Sequence, residues 1–177
     1  DGPGLIGLVL PNQTLGMSGG RWLENAEVAS INIALTSGGP LVLTENLPTY
    51  EVADSSVCVS SSMALVRAEI FNPNATIIYW PWISTIFYNA DGKIVGSTGG
   101  TRIGFLPNSK TGIISWGYCT EDMDHYEIYP SYSVPSTTPE IPADAQPLKV
   151  VDSGYAVSGS NLTYAVIIEN PNPAYMV

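Results

Sequence analysis

Apolar residues recur along the chain in short alternating runs punctuated by glycine, proline and asparagine, and no window sustains the 3.6-residue period of a helix. The pattern predicts strands over residues 28–35, 41–44, 56–61, 63–71, 77–88, 94–95, 102–106, 111–118, 148–157 and 162–169. Asn89-Ala90-Asp91-Gly92-Lys93 reads as a hairpin turn, because Asp-Gly supplies the positive φ that a tight turn needs. Pro81 falls inside the longest run and predicts a bulge or an edge position there, since proline brings no N–H to a ladder. The fold class is therefore all-β: a β-sandwich, either one large body or two small fused ones.

Residues 1–20 form a unit of their own, an apolar strand carried by Leu5, Ile6, Leu8, Val9 and Leu10 on a glycine hinge at Gly16, Gly19 and Gly20. Residues 21–177 form the sandwich body, in which 129–147 carries five prolines and reads as an extended crossing. One echo stands out. Ile70-Phe71-Asn72-Pro73-Asn74 and Ile168-Glu169-Asn170-Pro171-Asn172 both end a strand in an Asn-Pro-Asn corner. The first corner is followed by residues that return to complete a sheet. The second lies close to Val177, so the last sheet is expected to lack a strand.

Composition then narrows the classes. Of 177 residues, 6 are Lys or Arg and 16 Asp or Glu, a formal net charge of −10. That excludes the electrostatic footprint of a nucleic-acid binder or an anionic-membrane binder. Only 12% of residues are charged, yet 45% are hydrophobic, which is a folded rather than a disordered composition. No apolar run is long enough for a membrane-spanning helix, so membrane insertion is not expected. A start at Asp1 fits a mature exported chain, with an extracellular or cell-surface location.

Cys58 and Cys119 lack metal-site or CxxC spacing and read as one long-range disulfide, with two buried free thiols as the alternative. Sequons at Asn12, Asn74 and Asn161 offer sites for N-linked glycans, which would keep so uncharged a surface wet.

Candidate chemistry is sparse. Gly2, Gly4 and Gly7 match G-x-G-x-x-G in form, but no strand precedes them and no helix follows. The single histidine, His125, reads as a surface residue and leaves a triad or a His-based metal site little to draw on. Glu121, Asp122, Asp124 and Glu127 read as a solvated acidic loop, with calcium binding the alternative. Trp80, Trp82 and Trp116 are packing residues or stacking platforms. No catalytic residue, metal site or cofactor is expected, and the chain does not read as an enzyme.

Three segments carry a resemblance over residues 57–116: Ile70-Phe71-Asn72-Pro73-Asn74, then Ser84-Thr85-Ile86-Phe87-Tyr88-Asn89-Ala90-Asp91-Gly92-Lys93-Ile94-Val95-Gly96, then Gly104-Phe105-Leu106-Pro107. This region resembles the FxLYD-type domains and their late-embryogenesis-abundant relatives. Thr85 stands at the motif's Phe, Phe87 at its Leu, Tyr88 at its Tyr and Asn89 at its Asp. The resemblance implies an extracytoplasmic immunoglobulin-like β-sandwich with its core in 57–118, and residues 164–174 resemble the opening of a second such unit. The organisation as a whole, with its leading apolar strand, glycine hinge, sandwich body and sequons, is similar to subunits of archaeal extracellular thread-like filaments. That resemblance implies donor-strand complementation, in which the leading strand of one subunit fills the groove of its neighbour.

The expected function is accordingly a structural subunit that polymerises head to tail with copies of itself through Leu5, Ile6, Leu8, Val9 and Leu10. Burying each of those side chains contributes on the order of 1.5–3 kcal/mol. A strand that folds back on its own body is the competing arrangement. A monomeric secreted or cell-surface adhesin, or a carbohydrate-binding module, is the competing function.

Overall fold

A computed structural model describes residues 9–22, 28, 30–35, 49–75, 78–79, 81–101, 104–120, 122–131 and 146–173. Among these residues eleven strands form: β1 (Thr14–Trp22), β2 (Glu51–Ser60), β3 (Met63–Asn72), β4 (Ile78–Tyr79), β5 (Trp82–Tyr88), β6 (Ile94–Thr101), β7 (Gly104–Phe105), β8 (Ser109–Cys119), β9 (His125–Ser131), β10 (Lys149–Ser158) and β11 (Asn161–Glu169). Among the described residues there is no helix.

The strands pair in a six-stranded order β2-β3-β8-β6-β5-β9, a three-stranded order β1-β11-β10 and a small β4-β7 pair. Strand β6 joins β8 through two residue pairs only, Gly96 with Cys119 and Ser97 with Tyr118. The larger sheet therefore bends there into two faces that pack on each other. Ala64 and Val66 meet Phe87 and Val95, while Ala68, Ile70 and Ile113 meet Ile83 and Phe105. The opposite side of β5 and β6, with Ile86, Tyr88 and Ile94, packs on Ala165 and Ile167 of β11. Layer β6-β5-β9 thus lies in the middle, between β2-β3-β8 on one side and β10-β11-β1 on the other. Every residue of β5 after Trp82 is buried, because both of its faces are covered.

The predicted hairpin is present. Asn89 Oδ1 accepts from the amides of Asp91 and Lys93, and Gly92 takes φ 76°, so Asn89-Gly92 turns β5 into β6. Other expectations are corrected. The run 77–88 is two strands, and Pro81 lies buried before β5 begins, so β5 is central rather than an edge. Of the strand expected at 28–35, the described residues pair with nothing in a ladder; Ile33 and Leu35 instead cover Met17, Val166 and Ile168. The strand expected at 41–44 lies outside the described residues, as does most of the 129–147 crossing, whose first residues belong to β9.

Cys58 and Cys119 are free thiols, not a disulfide. Cys58 faces outward on β2, whereas Cys119 points into the core from β8, with β3 between them. Residues two strands apart on opposite faces cannot approach to the Cα separation, about 6 Å, that a disulfide needs. Burial, and then the nearby Asp122 carboxylate, push the Cys119 thiol up to about 12. A thiol reagent should accordingly titrate one cysteine in the native protein and two after denaturation, with the intact mass unchanged by reduction.

Candidate functional site

The two Asn-Pro-Asn corners are the most elaborate polar constructions among the described residues, and they are built alike. In the first, Asn72 is fully buried at the end of β3. Its Nδ2 donates to the carbonyls of Phe105 and Leu106, both at 3.1 Å, and its Oδ1 accepts from the amide of Asn74 at 3.0 Å and from Asn74 Nδ2 at 2.7 Å. Asn74 Nδ2 also donates to Thr49 O at 2.8 Å. The carbonyl of Asn74 accepts from the amide of Asn108, whose φ is 47°. Proline between the asparagines brings no N–H, so the ladder stops and the side chains take over the pairing.

The second corner repeats this pattern. Asn170, fully buried, donates from Nδ2 to Val9 O at 3.0 Å, and its Oδ1 accepts from the amide of Asn172 at 3.0 Å and from Asn172 Nδ2 at 2.7 Å. Asn172 Nδ2 donates to Gln146 O at 2.8 Å. The carbonyl of Asn172 accepts from the amide of Asn12, whose φ is 55°. Phe105 and Val9 occupy equivalent places, and each is fully buried.

The hairpins leading into the corners match as well. Register breaks between Val52 and Asp54 in one and between Val150 and Asp152 in the other, and in each hairpin the Asp Oδ1 accepts from the following Ser amide. Glu69 pairs with Gly112 of β8 where Ile167 pairs with Gly16 of β1. The segments held in the two seats share a signature, Leu106-Pro107-Asn108-x-x-x-Gly112 and Leu10-Pro11-Asn12-x-x-x-Gly16. They differ in origin. The first seat holds a segment that follows its corner in sequence; the second holds one that precedes its corner by almost the whole chain.

The sequence-predicted donor and hinge residues divide accordingly. Leu5, Ile6 and Leu8 lie outside the described residues. Val9 is buried against its own chain and Leu10 partly so. Gly16, Gly19 and Gly20 are not a hinge: they lie within β1, in register with Ile167, Tyr164 and Thr163. Their smallness serves close approach. A Cβ on Gly16 would collide with the Tyr129 ring and Ile86 Cδ1, and one on Gly19 with the Tyr164 ring. Ser18 between them donates to Thr98 O at 2.9 Å, tying β1 to the middle layer.

Of the sequons, Asn12 is exposed, Asn161 is half-buried at the start of β11, and Asn74 has its amide nitrogen engaged in the first corner. Among the described residues no group of His, Cys, Asp and Glu could hold a metal ion. Asp122 pairs with Thr120, Asp124 with His125 Nδ1 at 3.1 Å, and Glu127 with Tyr129. His125 is half-exposed and stacks on Tyr88 with ring centroids 5.0 Å apart. Trp82 turns its Nε1 to Ser84 Oγ at 3.1 Å, Trp80 lies outside the described residues, and Trp116 is 61% exposed. An open crevice of about 400 Å³ runs between the Asn89 turn and Tyr155, with Lys93 and Asp122 on its walls.

Under β1, burial raises the Tyr129 hydroxyl well above its usual range, and its hydrogen bonds to Glu127 and Tyr88 add to this. Burial likewise raises Tyr88. With Cys119, these groups keep their protons more tightly folded than unfolded. The stability they provide is complete below pH about 9 and declines as rising pH ionises the unfolded chain first. Melting temperature should therefore fall as pH rises from about 9 to about 11, and Tyr129→Phe should flatten that fall.

Comparison of the chain with protein-family models, with curated proteins and with solved structures gives no match.

Proposed function

We propose that the chain is a structural subunit of an extracellular cell-surface filament, in which residues 9–22 of one copy fill the second seat of the next. The observation that carries this is the order of the parts. A seat that is filled from the far end of the sequence makes the same contacts when that segment comes from another copy; only the connection through residues 23–48 changes. Such an exchange does not close on itself and grows into a fibre. It also covers the β11 edge, which otherwise exposes a row of unpaired backbone groups.

The two repeats are read as immunoglobulin-like units of the FxLYD kind, outside the cell, with glycans on Asn12 and Asn161 but not on Asn74, whose amide nitrogen spends both hydrogens in the first corner. The donor is accordingly longer than the apolar run at its head: Thr14 through Trp22 supply the ladder, and Val9 and Asn12, bonded to Asn170 and Asn172, supply the grip. Two observations favour a monomeric adhesin or carbohydrate-binding module instead: β1 closes on its own chain, and Trp116 presents an exposed aromatic face.

Negative-stain microscopy and sedimentation of the full chain, beside a chain lacking residues 1–22, test the proposal. Fibres from the first and none from the second are expected. Fibres unchanged by the deletion would refute strand donation, and a strictly monomeric full chain that binds glycans would favour the module.

A further inference from the structure

Both seats hold a strand opened by Leu-Pro-Asn-x-x-x-Gly, yet what lies behind each strand differs. β1 fills the second seat over nine residue pairs, from Thr14 with Glu169 to Trp22 with Asn161. Along it, Gly16, Ser18 and Gly20 stand where β8 has Gly112, Ile114 and Trp116, because their partners Ile167, Ala165 and Thr163 match Glu69, Arg67 and Leu65 of β3. In the second repeat this side of the strand meets the middle layer. An added Cβ at 16 would strike the Tyr129 ring and Ile86 Cδ1. Ser18 is 5% exposed, and its Oγ donates to Thr98 O at 2.9 Å and lies 3.3 Å from Ser84 Oγ. That oxygen occupies the space a Cβ on Gly99 would need. In the first repeat the same side faces outward. Nothing lies within 4 Å of an added Cβ at Gly112, and Ile114 and Trp116 are more than half exposed.

We infer that the second seat selects its strand by size at positions 16 and 18, accepting β1 and refusing β8 although both carry the same opening signature. An isoleucine at 18 would drive carbon atoms into Thr98 and Gly99, and the strand could not keep its nine-pair register without overpacking the middle layer. The wrong strand is thus excluded by collision rather than by lost attraction. The first seat sorts in the opposite direction. Phe105 fills it, packed with Ala68, Ile70, Ile83 and Ile113 and edge-on to Tyr50 with ring centroids 5.8 Å apart, and Val9 in its place would leave a void. Where the strand arrives from another copy, the inference rests on the filament reading; the sorting itself belongs to the single chain.

Hydrogen exchange on two full-length variants tests the sorting: Ser18→Ile, which gives β1 the β8 residue, and Ile114→Ser, the reverse. In Ser18→Ile, exchange at residues 14–22 should quicken about tenfold or more while 109–119 stay unchanged. In Ile114→Ser, residues 109–119 should keep their protection to within about fivefold. A β1 as protected as before in Ser18→Ile, or both repeats loosened alike, overturns the inference. The Ser18→Ile chain, carrying also Glu169→Cys and Cys58→Ser, is then mixed with an excess of synthetic peptides under mild oxidation. The peptides are residues 9–22 with Thr14→Cys, the same peptide with Ser18→Ile, and residues 105–118 with Lys110→Cys, the register equivalent of position 14. The first should link to position 169 about tenfold or more better than either of the others. Equal linkage by the second or the third overturns size selection and leaves strand donation standing. No linkage by any peptide, with residues 14–22 nonetheless loosened, upholds selection for the chain's own strand and removes strand donation.

Discussion

Gly16→Val should dislodge β1, whereas Gly112→Val, its counterpart in the first repeat, should change little. A side chain at 16 meets the half-buried Tyr129 ring and Cδ1 of the fully buried Ile86, both in the middle layer, so one of them or β1 itself must shift. At Gly112 nothing stands within 4 Å of an added Cβ. Overpacking of this kind costs about 1–3 kcal/mol, and β1 can also escape by leaving its seat. Urea titration should show the midpoint of Gly16→Val lowered, and limited proteolysis should cut near residue 22 while the rest of the chain resists. If both valines behave alike, the close approach at Gly16 has no energetic weight.

Asn170→Ala is the second large effect. The amide is fully buried, donates to Val9 O and accepts two hydrogen bonds from Asn172. Its removal leaves a buried carbonyl and the amide hydrogens of Asn172 without their partner, at about 1–3 kcal/mol for each group left unsatisfied. Asn72→Ala should cost a similar amount, since Asn72 holds the carbonyls of Phe105 and Leu106 and accepts from Asn74 in the same way. The location of the damage separates them. Hydrogen exchange should quicken at residues 9–13 in Asn170→Ala and at 105–109 in Asn72→Ala. Equal loosening of both seats in either variant would contradict their independence.

Much of this architecture was legible in the chain. The β5-β6 hairpin was written in its Asn89–Lys93 turn, and much of β2, β3, β10 and β11 in the alternation of apolar residues, because local chemistry decides such elements. The Asn-Pro-Asn echo pointed to the acceptor corner for the same reason: buried amides and a missing N–H leave few other arrangements. What was not legible is the partner of β11. Gly16, Gly19 and Gly20 read as a hinge because glycine signals freedom in isolation, and only the rings of Tyr129 and Tyr164, distant in sequence, turn it into a fitting position. The signal that could have found the donor is Leu10-Pro11-Asn12-x-x-x-Gly16, repeated at Leu106-Pro107-Asn108-x-x-x-Gly112. The disulfide expectation failed because two cysteines in one chain say nothing about which face each occupies. Trp116, read as core or interface packing or as a stacking platform, is 61% exposed in the single chain and so is not core packing.

Whether β1 can serve another molecule is decided most directly by mixing two full-length chains, one with Thr14→Cys and the other with Glu169→Cys, both carrying Cys58→Ser. These positions are register partners across β1 and β11, about 5 Å apart at Cα, within disulfide reach. After assembly and mild oxidation, mass spectrometry of the linked peptides should find residue 14 of one chain joined to residue 169 of the other. If the mixture yields no such link, while a single chain carrying both substitutions closes it readily within itself, the strand serves only its own molecule.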